Sequence, residues 1–465
     1  MVEIKFGTDG WRAIIAQEYT VDNVARVADA TARWMKAKGM TKVAIGYDCR
    51  FGGVMFTDMV TRVLGSHGLH ILRSTNFVST PMISLVTVKQ GADMGIVITA
   101  SHNPASYNGY KLKSAYGGPT SPREVQEVED LIEEIIPTDL PTIEQLEKQG
   151  QITTMDMEQL YMDHILANFD MDLIKKSGIR LGYDAMYGAG QNVIKRLFPN
   201  GHLLHCDFNP SFMGQAPEPI ARNLKQLSSD IANDDSINLG LANDGDADRI
   251  GMFDEDGNFV DSHHLLLLLL SYFYEHKKMT GKVIVTFSVT DKMQKLAAIY
   301  GLDVQITKIG FKYIAELMTK EDVLVGGEES GGLAVKGHIP ERDGVWMGLV
   351  IMEYMAATGK SIKELIQDVY AKVGSFATDR DDLHLTNEKK WEIMDKCKAG
   401  EIKIIGDRPV IKIENIDGYK FYLSDDEWVM IRPSGTEPVL RVYAEATTAT
   451  DVRKILDATH KLLSA

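Results

Sequence analysis

Apolar and polar residues alternate along the amino-terminal part of the chain, first with a helical and then with a strand-like spacing. Over residues 22–38 the apolar and small side chains stand three and four positions apart, which predicts an amphipathic helix. The run over 43–48, which is apolar until it ends at the carboxylate of Asp48, predicts a buried strand, and a helix over 54–66 and a strand over 69–72 follow it. Because strand and helix alternate, the pattern predicts parallel strands covered by helices.

One strand pattern occurs twice. An aliphatic residue followed by Gly, Tyr and Asp stands at 45–48 and again at 181–184. A repeat of four residues also arises by chance, but with the repeated strand–helix alternation it suggests related domains in tandem. A third α/β stretch has predicted strands over 282–286 and 323–326 and predicted helices over 291–300, 310–319 and 343–357.

The carboxyl-terminal part has a different pattern. Strand-like segments over 409–413, 419–423, 427–431 and 439–446 precede a helix over 450–463, which predicts a small α+β domain. We therefore expect an α/β protein with three tandem related α/β domains, their sheets mixed or parallel, and a smaller C-terminal α+β domain. The expected boundaries are 1–150, 151–254, 255–377 and 378–465. The charged segment 376–383 lacks a continuous apolar face, so we expect a hinge there about which ligand binding swings the last domain inward.

The composition is that of an ordinary globular protein. Hydrophobic residues make up 44% and charged residues 25% of the 465 residues, and the net charge of −15 argues against a nucleic-acid partner. Cys49, Cys206 and Cys397 have no paired or metal-like spacing, and the first residues have no apolar signal segment, so we expect a reducing, cytoplasmic setting. The leucine run over 265–270 is too short for a bilayer, which needs ~20 apolar residues, and predicts a buried helix rather than a membrane partner.

The stretch from Ser101 to Lys111 is the first candidate for chemistry. A buried strand predicted over 95–98 ends at small and polar residues, and Ser101 and His102 follow. In open α/β sheets ligands bind beyond the carboxyl ends of the strands, and a hydroxyl nucleophile needs a neighbour that takes its proton. A polar turn with an N-capping serine explains the same residues about equally well.

A second candidate is the acidic run Asp244, Asp246 and Asp248. Three carboxylates this close repel one another unless a cation is present, which favours a hard, oxygen-preferring metal. An EF-hand loop is opposed by Arg249, which stands where that loop needs a glycine, and by the strand-like approach. A solvated acidic turn remains the alternative.

Two further loops could bind a phosphorylated sugar. The sequence Arg-Pro-Ser-Gly-Thr over 432–436 offers a guanidinium, two hydroxyls and an open backbone for a phosphate, and Arg441 on the next strand could join it. Glu328 and Ser330, in a glycine-rich loop, could each bond neighbouring sugar hydroxyls. An ordinary turn and a solvated hairpin are the respective alternatives. The segments 308–310 and 342–344 are expected to lie beside these two loops.

These motifs, in this order, resemble those of the α-D-phosphohexomutase superfamily. The resemblance covers the whole chain and includes the opening Phe-Gly-Thr-Asp-Gly-Trp-Arg over 6–12. It implies the four domains above, arranged around a central cleft. It also implies that the three aspartates bind Mg²⁺ together with an oxygen of phosphorylated Ser101, and that Arg12 and Lys111 act near the phosphoserine, Lys111 as general acid or base. His102 is expected to orient the loop. The implied substrate-binding residues are Glu328, Ser330, Lys308, Gly310, Arg249, Arg432, Ser434, Gly435, Thr436 and Arg441.

The resemblance implies a phosphohexomutase that interconverts hexose 1-phosphate and hexose 6-phosphate through phosphoserine and a hexose 1,6-bisphosphate, which also serves as activator. The Glu-Glu-Ser sequence over 328–330 is closer to glucose-type members, so glucose phosphate is the first expected substrate and mannose phosphate the second. A glucose-1,6-bisphosphate synthase that uses fructose 1,6-bisphosphate as donor needs the same residues and stays open. A non-catalytic sugar-phosphate sensor is the alternative from another class. We expect a monomer or homodimer with sugar phosphates as its partners.

Overall fold

The computed structural model describes residues 3–434 and 439–464. The first sheet contains β1 (Trp11–Ile14), β2 (Lys42–Tyr47), β3 (His70–Ser74), β4 (Met94–Ile98), β5 (Tyr107–Ser114) and β6 (Ile152–Met155). Its helices are α1 (Val21–Ala37), α2 (Gly53–Ser66), α3 (Thr80–Lys89), α4 (Pro122–Glu129) and α5 (Ile143–Lys148). The strand order is β1-β5-β4-β2-β3-β6, with β2, β3, β4 and β6 parallel and β5 and β1 antiparallel at one edge.

The second sheet has the order β11-β10-β9-β7-β8, in which β7, β8 and β9 are parallel. Its strands are β7 (Leu181–Asp184), β8 (His202–Leu204), β9 (Leu239–Asn243), β10 (Ile250–Phe253) and β11 (Phe259–Val260). Its helices are α6 (Met157–Asn168), α7 (Met171–Lys176), α8 (Gln191–Leu197) and α9 (Lys225–Asn233). Strands β6 and β11 lie just beyond the expected boundaries at 150 and 254 and pair with the strands that precede those boundaries.

The third sheet has the order β13-β12-β14-β15, with only β15 antiparallel. Its strands are β12 (Lys282–Thr286), β13 (Val304–Thr307), β14 (Val323–Gly327) and β15 (Leu333–Val335). Its helices are α10 (Ser262–Ser271), α11 (Lys292–Tyr300), α12 (Phe311–Met318), α13 (Gly344–Thr358) and α14 (Ile362–Val373). The leucines over 265–270 are fully buried in α10, as predicted. Among the described residues, no helix combines the length and the apolar character needed to cross a membrane.

The fourth sheet is antiparallel, with the order β16-β22-β21-β20-β19. Its strands are β16 (Ala377–His384), β19 (Lys412–Glu414), β20 (Tyr419–Tyr422), β21 (Trp428–Pro433) and β22 (Val439–Ala446). A separate ribbon pairs β17 (Ile404–Ile405) with β18 (Arg408–Pro409), and the helices are α15 (Asn387–Ala399) and α16 (Ala449–Ser464). Three α/β domains with mixed sheets, followed by an α+β domain with an antiparallel sheet, confirm the predicted fold class.

The expected hinge over 376–383 is wrong. Residues 377–384 form β16, which pairs along its whole length with β22. The alternating charges that suggested a loop are accommodated because β16 is an edge strand and Arg453 pairs with Asp381. The connection to the last domain is the short segment 374–376, where Gly374 has a φ of 82° and Phe376 stacks on His264 with ring centroids 4.5 Å apart.

The hydrophobic core explains which domains act together. One continuous apolar cluster extends from α3 in the first domain through α6 in the second to α10 and α13 in the third. The fourth domain has its own core between its sheet and α16. The first three domains therefore form a common scaffold, and the fourth is a separate packing unit that docks on it.

The repeated strand pattern has a structural counterpart. Asp48 and Asp184 stand at the carboxyl ends of the central parallel strands β2 and β7. Each carboxylate accepts a hydrogen bond from the backbone amide two residues further on, from Arg50 at 2.9 Å and from Met186 at 2.8 Å. Both turns lead the chain out of its sheet at the edge where ligands bind in α/β folds.

Candidate active site

Ser101 lies in a strained turn directly after β4. Its φ of 52° is in the left-handed region that non-glycine residues rarely adopt, and it is fully buried. The Ser101 amide donates to Thr99 Oγ1 at 2.9 Å, and that hydroxyl donates to Asp48 Oδ2 at 2.6 Å. The carboxylate at the end of β2 therefore holds the neighbouring turn in place.

Arg50 fixes the rest of this turn, a role that sequence reasoning missed. Its guanidinium is fully buried and donates to four backbone carbonyls. These acceptors are Ser101 O at 2.5 Å, Asn103 O at 2.6 Å, Pro104 O at 2.8 Å and Tyr107 O at 3.1 Å. Four bonds from one rigid cation leave the loop little freedom. The only signal in the sequence is the position of Arg50 two residues after a strand-terminal aspartate.

The acidic loop follows β9 and lies against the serine. Ser101 Oγ donates to Asp244 Oδ2 at 2.7 Å, and Asp244 Oδ1 accepts the amides of Asp248 at 3.0 Å and Arg249 at 3.1 Å. A Cβ at Gly245 would lie 2.4 Å from the carbonyl oxygen of Ser101, so only glycine allows this approach. The structure thus brings together two motifs that are 143 residues apart.

The three aspartates form a buried group suited to a metal ion. One carboxylate oxygen from each of Asp244, Asp246 and Asp248 lies within 4.8 Å of the others, and all three side chains are fully buried. Asp246 Oδ1 and Asp248 Oδ1 have no hydrogen-bond partner among the described residues. Burial and the two neighbouring carboxylates raise the pKa of Asp244 well above its usual value. Unpartnered buried carboxylate oxygens fit a hard cation such as Mg²⁺.

Lys111 extends from β5 into this acidic group. Its Nζ lies 2.8 Å from Asp246 Oδ2, 3.1 Å from Asp248 Oδ2 and 2.7 Å from Asp9 Oδ2. Burial acts to lower the pKa of Lys111, but the three carboxylates outweigh it and raise that pKa above the usual value. Lys111 is therefore an ammonium group in this arrangement.

Arg342 and Asp9 complete the charged group, and sequence reasoning underrated both. Arg342, just before α13, donates to Asp248 Oδ2 and to Asp9 Oδ2. Burial opposes the charge, but Lys111, Lys113 and Arg342 hold the pKa of Asp9 well below its usual range. These contacts join residues of the first, second and third domains. Arg342 was expected only to flank the cleft, and Asp9 was part of the opening motif without a role.

The remaining residues predicted near the serine also lie there. His102 Nδ1 is 3.4 Å from Ser101 Oγ, and burial together with Arg249 and Arg12 lowers the pKa of His102 well below its usual value. Arg12 on β1 donates to Asn103 Oδ1 at 2.9 Å and so reaches the same loop. A neutral imidazole beside the hydroxyl is consistent with the expected orienting role.

The glycine-rich loop after β14 lies next to the acidic loop. The amide of Ile250 donates to Gly331 O at 3.2 Å, which joins the two loops directly. Glu328 is buried, and its Oε1 accepts the Gly310 amide at 2.9 Å. Burial raises the pKa of Glu328 to about 7, with Arg342 opposing and Glu329 reinforcing the shift. Ser330 is half-buried in this loop, and Lys308 is exposed on the neighbouring segment.

The predicted phosphate loop lies in the fourth domain. Arg432 on β21 stands directly opposite Arg441 on β22, and its Nε donates to Asp417 Oδ2 at 3.1 Å. Ser434 is buried, and its carbonyl accepts a bond from Lys390 at 3.3 Å. Gly435 and Thr436 lie outside the described residues. Asp417 also binds the third domain, so Arg432 is tied to the segment that carries Lys308 and Gly310.

Four successive segments of the chain match the four domains of one known protein family. They are phosphoglucomutase/phosphomannomutase alpha/beta/alpha domain I over residues 3–139, domain II over 159–257, domain III over 261–373, and the C-terminal domain over 383–462. The four matches together span most of the chain.

Individual relatives agree with this result. A protein of Methanosphaera stadtmanae named as a probable phosphoglucosamine mutase is 31% identical over 99% of this chain and 98% of its own. A phosphoglucomutase/phosphomannomutase of Thermococcus kodakarensis is 30% identical, with 98% of each chain covered. A crystal structure named for a phosphomannomutase of Thermus thermophilus is 30% identical, covers 100% of both chains and has a TM-score of 0.88.

The resemblance read from the motifs is thereby confirmed over the full length, and so is the enzyme class that it implied. The chain belongs to the phosphoglucomutase/phosphomannomutase family, and it is an enzyme of the phosphohexomutase type.

Proposed function

We propose that the protein interconverts hexose 1-phosphate and hexose 6-phosphate through phosphorylated Ser101 and a hexose 1,6-bisphosphate, with glucose phosphate as its first substrate and mannose phosphate as its second. One observation carries the proposal. The Ser101 hydroxyl is held at 2.7 Å from Asp244 in a strained, buried turn, beside two carboxylates with unpartnered oxygens. A hydroxyl held this way is placed for covalent transfer rather than for capping a helix.

Asp244, Asp246 and Asp248 would hold Mg²⁺ together with an oxygen of the phosphoryl group on Ser101. When bound, the ion supplies Lewis-acid stabilisation of charge on the phosphoryl group. In the described part of the chain the ion-pair partners of Asp246 and Asp248 are Lys111 and Arg342, and both of these cations also pair with Asp9. A charge deficit of this kind supports a divalent cation at the site.

The protein side chains would position and neutralise the transferring group. The bond between phosphorus and Ser101 Oγ breaks as a bond from phosphorus to a sugar hydroxyl oxygen forms. Ser101 Oγ takes up a proton from Lys111, and Lys111 recovers a proton from the sugar hydroxyl, so one phosphoryl group is exchanged for one proton. Arg12, tied to the loop through Asn103, is placed to contact the phosphoryl oxygens. Lys111 is our general acid/base candidate, and its carboxylate partners favour its protonated form, which suits donation of a proton to an oxygen that leaves.

The other end of the substrate would be recognised across the cleft. Glu328 and Ser330 would bond the sugar hydroxyls, with Gly310, Lys308 and Arg249 beside them. The non-reacting phosphate would bind the loop of the fourth domain, whose proposed ligands are Arg432, Ser434, Gly435, Thr436 and Arg441. After the first transfer the bisphosphate must exchange its two phosphates between the two ends of the cleft and return the second one to Ser101.

A hexosamine phosphate is the second candidate substrate. The relative from Methanosphaera stadtmanae, at 31% identity, is named as a probable phosphoglucosamine mutase, as are other relatives at similar identity. An amino group at the sugar would face Glu328 and Glu329, and carboxylates are suitable partners for an ammonium group. Relative turnover of glucose 1-phosphate, mannose 1-phosphate and glucosamine 1-phosphate by the wild-type enzyme decides the order.

Substitution of Ser101 by alanine tests the proposal. Ser101→Ala should abolish conversion of every hexose 1-phosphate that the wild-type enzyme accepts, because it removes the oxygen that carries the phosphoryl group. Ser66→Ala, in α2, is the matched control and should keep wild-type turnover, since its hydroxyl bonds only the carbonyl of Val63. Turnover by Ser101→Ala near the wild-type rate would overturn the proposal. Net accumulation of hexose 1,6-bisphosphate from fructose 1,6-bisphosphate and glucose 1-phosphate would assign the synthase activity instead.

A further inference from the structure

Asp417 joins the third domain to the fourth at the edge of the cleft. It lies in the turn between β19 and β20, and its side chain is 23% exposed. Its Oδ2 accepts two hydrogen bonds, from the Ile309 amide at 3.0 Å and from Arg432 Nε at 3.1 Å. One carboxylate oxygen therefore connects the segment 308–310 with the arginine of the expected phosphate loop.

The backbone around Asp417 holds its carboxylate in this place. Gly418 has a φ of +91°, and a Cβ there would lie 2.5 Å from Ile431 O and 3.0 Å from the Cα of Arg432. The turn is thus packed directly against β21, closer than any side chain would permit. Asp417 consequently reaches Arg432 from a fixed neighbouring position rather than from a mobile loop.

The segment 308–310 continues the connection to the sugar loop. The amide of Ile309 donates to Asp417, and the next amide, that of Gly310, donates to Glu328 Oε1 at 2.9 Å. Two consecutive backbone amides therefore bind two different carboxylates, one from the fourth domain and one from the third. The two amides are separated by the single residue Ile309, so Asp417 and Glu328 both constrain the same short segment.

The charge distribution around Arg432 gives Asp417 a second effect. Arg432 stands directly opposite Arg441 on the neighbouring strand, and like charges in this register repel each other. Asp417 offsets part of that repulsion through its contact at Arg432 Nε, and Asp382 lies 3.9 Å from Arg441 Nε on the other strand. The bidentate binding of a phosphate uses a pair of guanidinium N–H groups, and contact at Nε occupies one of the five donors.

We propose that Asp417 is a positioning residue of the hexose-phosphate site. It orients the guanidinium of Arg432 toward the substrate phosphate and, through Ile309 and Gly310, couples that orientation to the sugar-binding carboxylate of Glu328. The inference rests on the proposed function for the nature of the ligand. In this role Asp417 sets how far the phosphate-binding Arg432 lies from the sugar-binding Glu328, and so influences which hexose phosphate fits between them.

Calorimetric binding tests the proposal in a Ser101→Ala background, where phosphoryl transfer cannot consume the ligand. The probes are glucose 1-phosphate, mannose 1-phosphate, glucosamine 1-phosphate and inorganic phosphate, each with Mg²⁺. Asp417→Asn should weaken the best hexose 1-phosphate by about tenfold and change the ratio of affinities among the three sugars. With Arg432→Lys already present, Asp417→Asn should weaken hexose 1-phosphate binding by less than about a further twofold, because the guanidinium that Asp417 orients is absent.

The matched control is Asp426→Asn. Asp426 also bridges the third and fourth domains, through Lys292 and Lys295, and its side chain is 45% exposed. Its substitution should weaken binding by less than about twofold, and its effect should add to that of Arg432→Lys. Thermal unfolding shows whether each variant is folded, and Asp417→Ser serves as a second variant if the amide does not fold.

The outcomes separate this proposal from the proposed function. An Asp417→Asn effect that is additive with Arg432→Lys, or no larger than that of Asp426→Asn, overturns the positioning role even if the wild-type enzyme is a mutase. Non-additive binding effects without hexose phosphate turnover by the wild-type enzyme support the positioning role and refute the mutase proposal. A protein that binds none of the four probes contradicts the phosphate site and overturns the role of Asp417 with it.

Discussion

A methyl group at position 245 should separate the two loops on which the chemistry depends. A Cβ at Gly245 would lie 2.4 Å from the Ser101 carbonyl oxygen, and ordinary contact begins at 3.4 Å. The carbonyl oxygen cannot swing away freely, since Arg50 binds it at 2.5 Å. Gly245→Ala must therefore move the acidic loop and the serine turn apart by about 1 Å.

That displacement acts on the geometry of transfer more than on the fold. It lengthens the 2.7 Å contact between Ser101 Oγ and Asp244 beyond hydrogen-bonding distance. A misplacement of about 1 Å at a reacting centre costs roughly 100-fold in rate. Overpacking at one loop contact costs about 1–3 kcal/mol of stability, which the large shared core of the first three domains should tolerate.

The assay couples formation of glucose 6-phosphate from glucose 1-phosphate to glucose-6-phosphate dehydrogenase. The control is Gly68→Ala, at a φ of +77° with no atom within 4 Å of the added Cβ. It should lower stability by about 1 kcal/mol through backbone strain and leave kcat/KM unchanged. A folded Gly245→Ala enzyme with kcat/KM within about threefold of the wild-type value would show that transfer does not depend on the close approach of the two loops.

Three further predictions concern the aspartate group, the serine turn and the buried carboxyl on β22. Asp246→Asn should raise the Mg²⁺ concentration for half-maximal activity by at least about tenfold after treatment with a chelator, and an unchanged Mg²⁺ titration would exclude it as a ligand. Arg50→Lys replaces a guanidinium that donates to four carbonyls by a single ammonium group. It should lower the free energy of unfolding by about 2–4 kcal/mol in urea denaturation. The control Arg33→Lys, on the surface, should change that free energy little. Burial raises the pKa of Glu445, on β22, to about 7, so this carboxyl keeps a proton in the folded protein that it releases in the unfolded chain. Its contribution to stability therefore falls as the pH rises from 4.5 to 7. Glu445→Gln should therefore be more stable relative to wild type at pH 8 than at pH 4.5 by about 3 kcal/mol, and a difference independent of pH would contradict this.

Most helices and strands were predictable because the spacing of their apolar residues is regular over the whole element. The strand over 282–286 and the helix over 343–357 agree with β12 and α13 to within a residue. The failure at β16 has a physical cause, since an edge strand needs one apolar face at most and Asp381 is compensated by Arg453, far along the chain. Local sequence carries no trace of such a partner.

The site was predictable where its residues stand in contiguous motifs. Ser101, Lys111 and the three aspartates come together as expected, although each motif alone allowed a structural explanation. Arg342 was underrated because its ion-pair partner Asp9 is 333 residues away, and a basic residue near a turn is common in any sequence. Asp417 left no motif at all, because its importance lies in a contact between domains.

Mass spectrometry of the intact protein shows whether Ser101 carries the transferring phosphoryl group. The enzyme is incubated with glucose 1,6-bisphosphate and Mg²⁺, and the modified residue is mapped in peptides. We expect one phosphoryl group on Ser101, its loss on addition of glucose 1-phosphate with formation of the bisphosphate, and no gain in Ser101→Ala. A wild-type protein that gains no phosphoryl group, or gains one elsewhere that Ser101→Ala retains, would contradict this expectation.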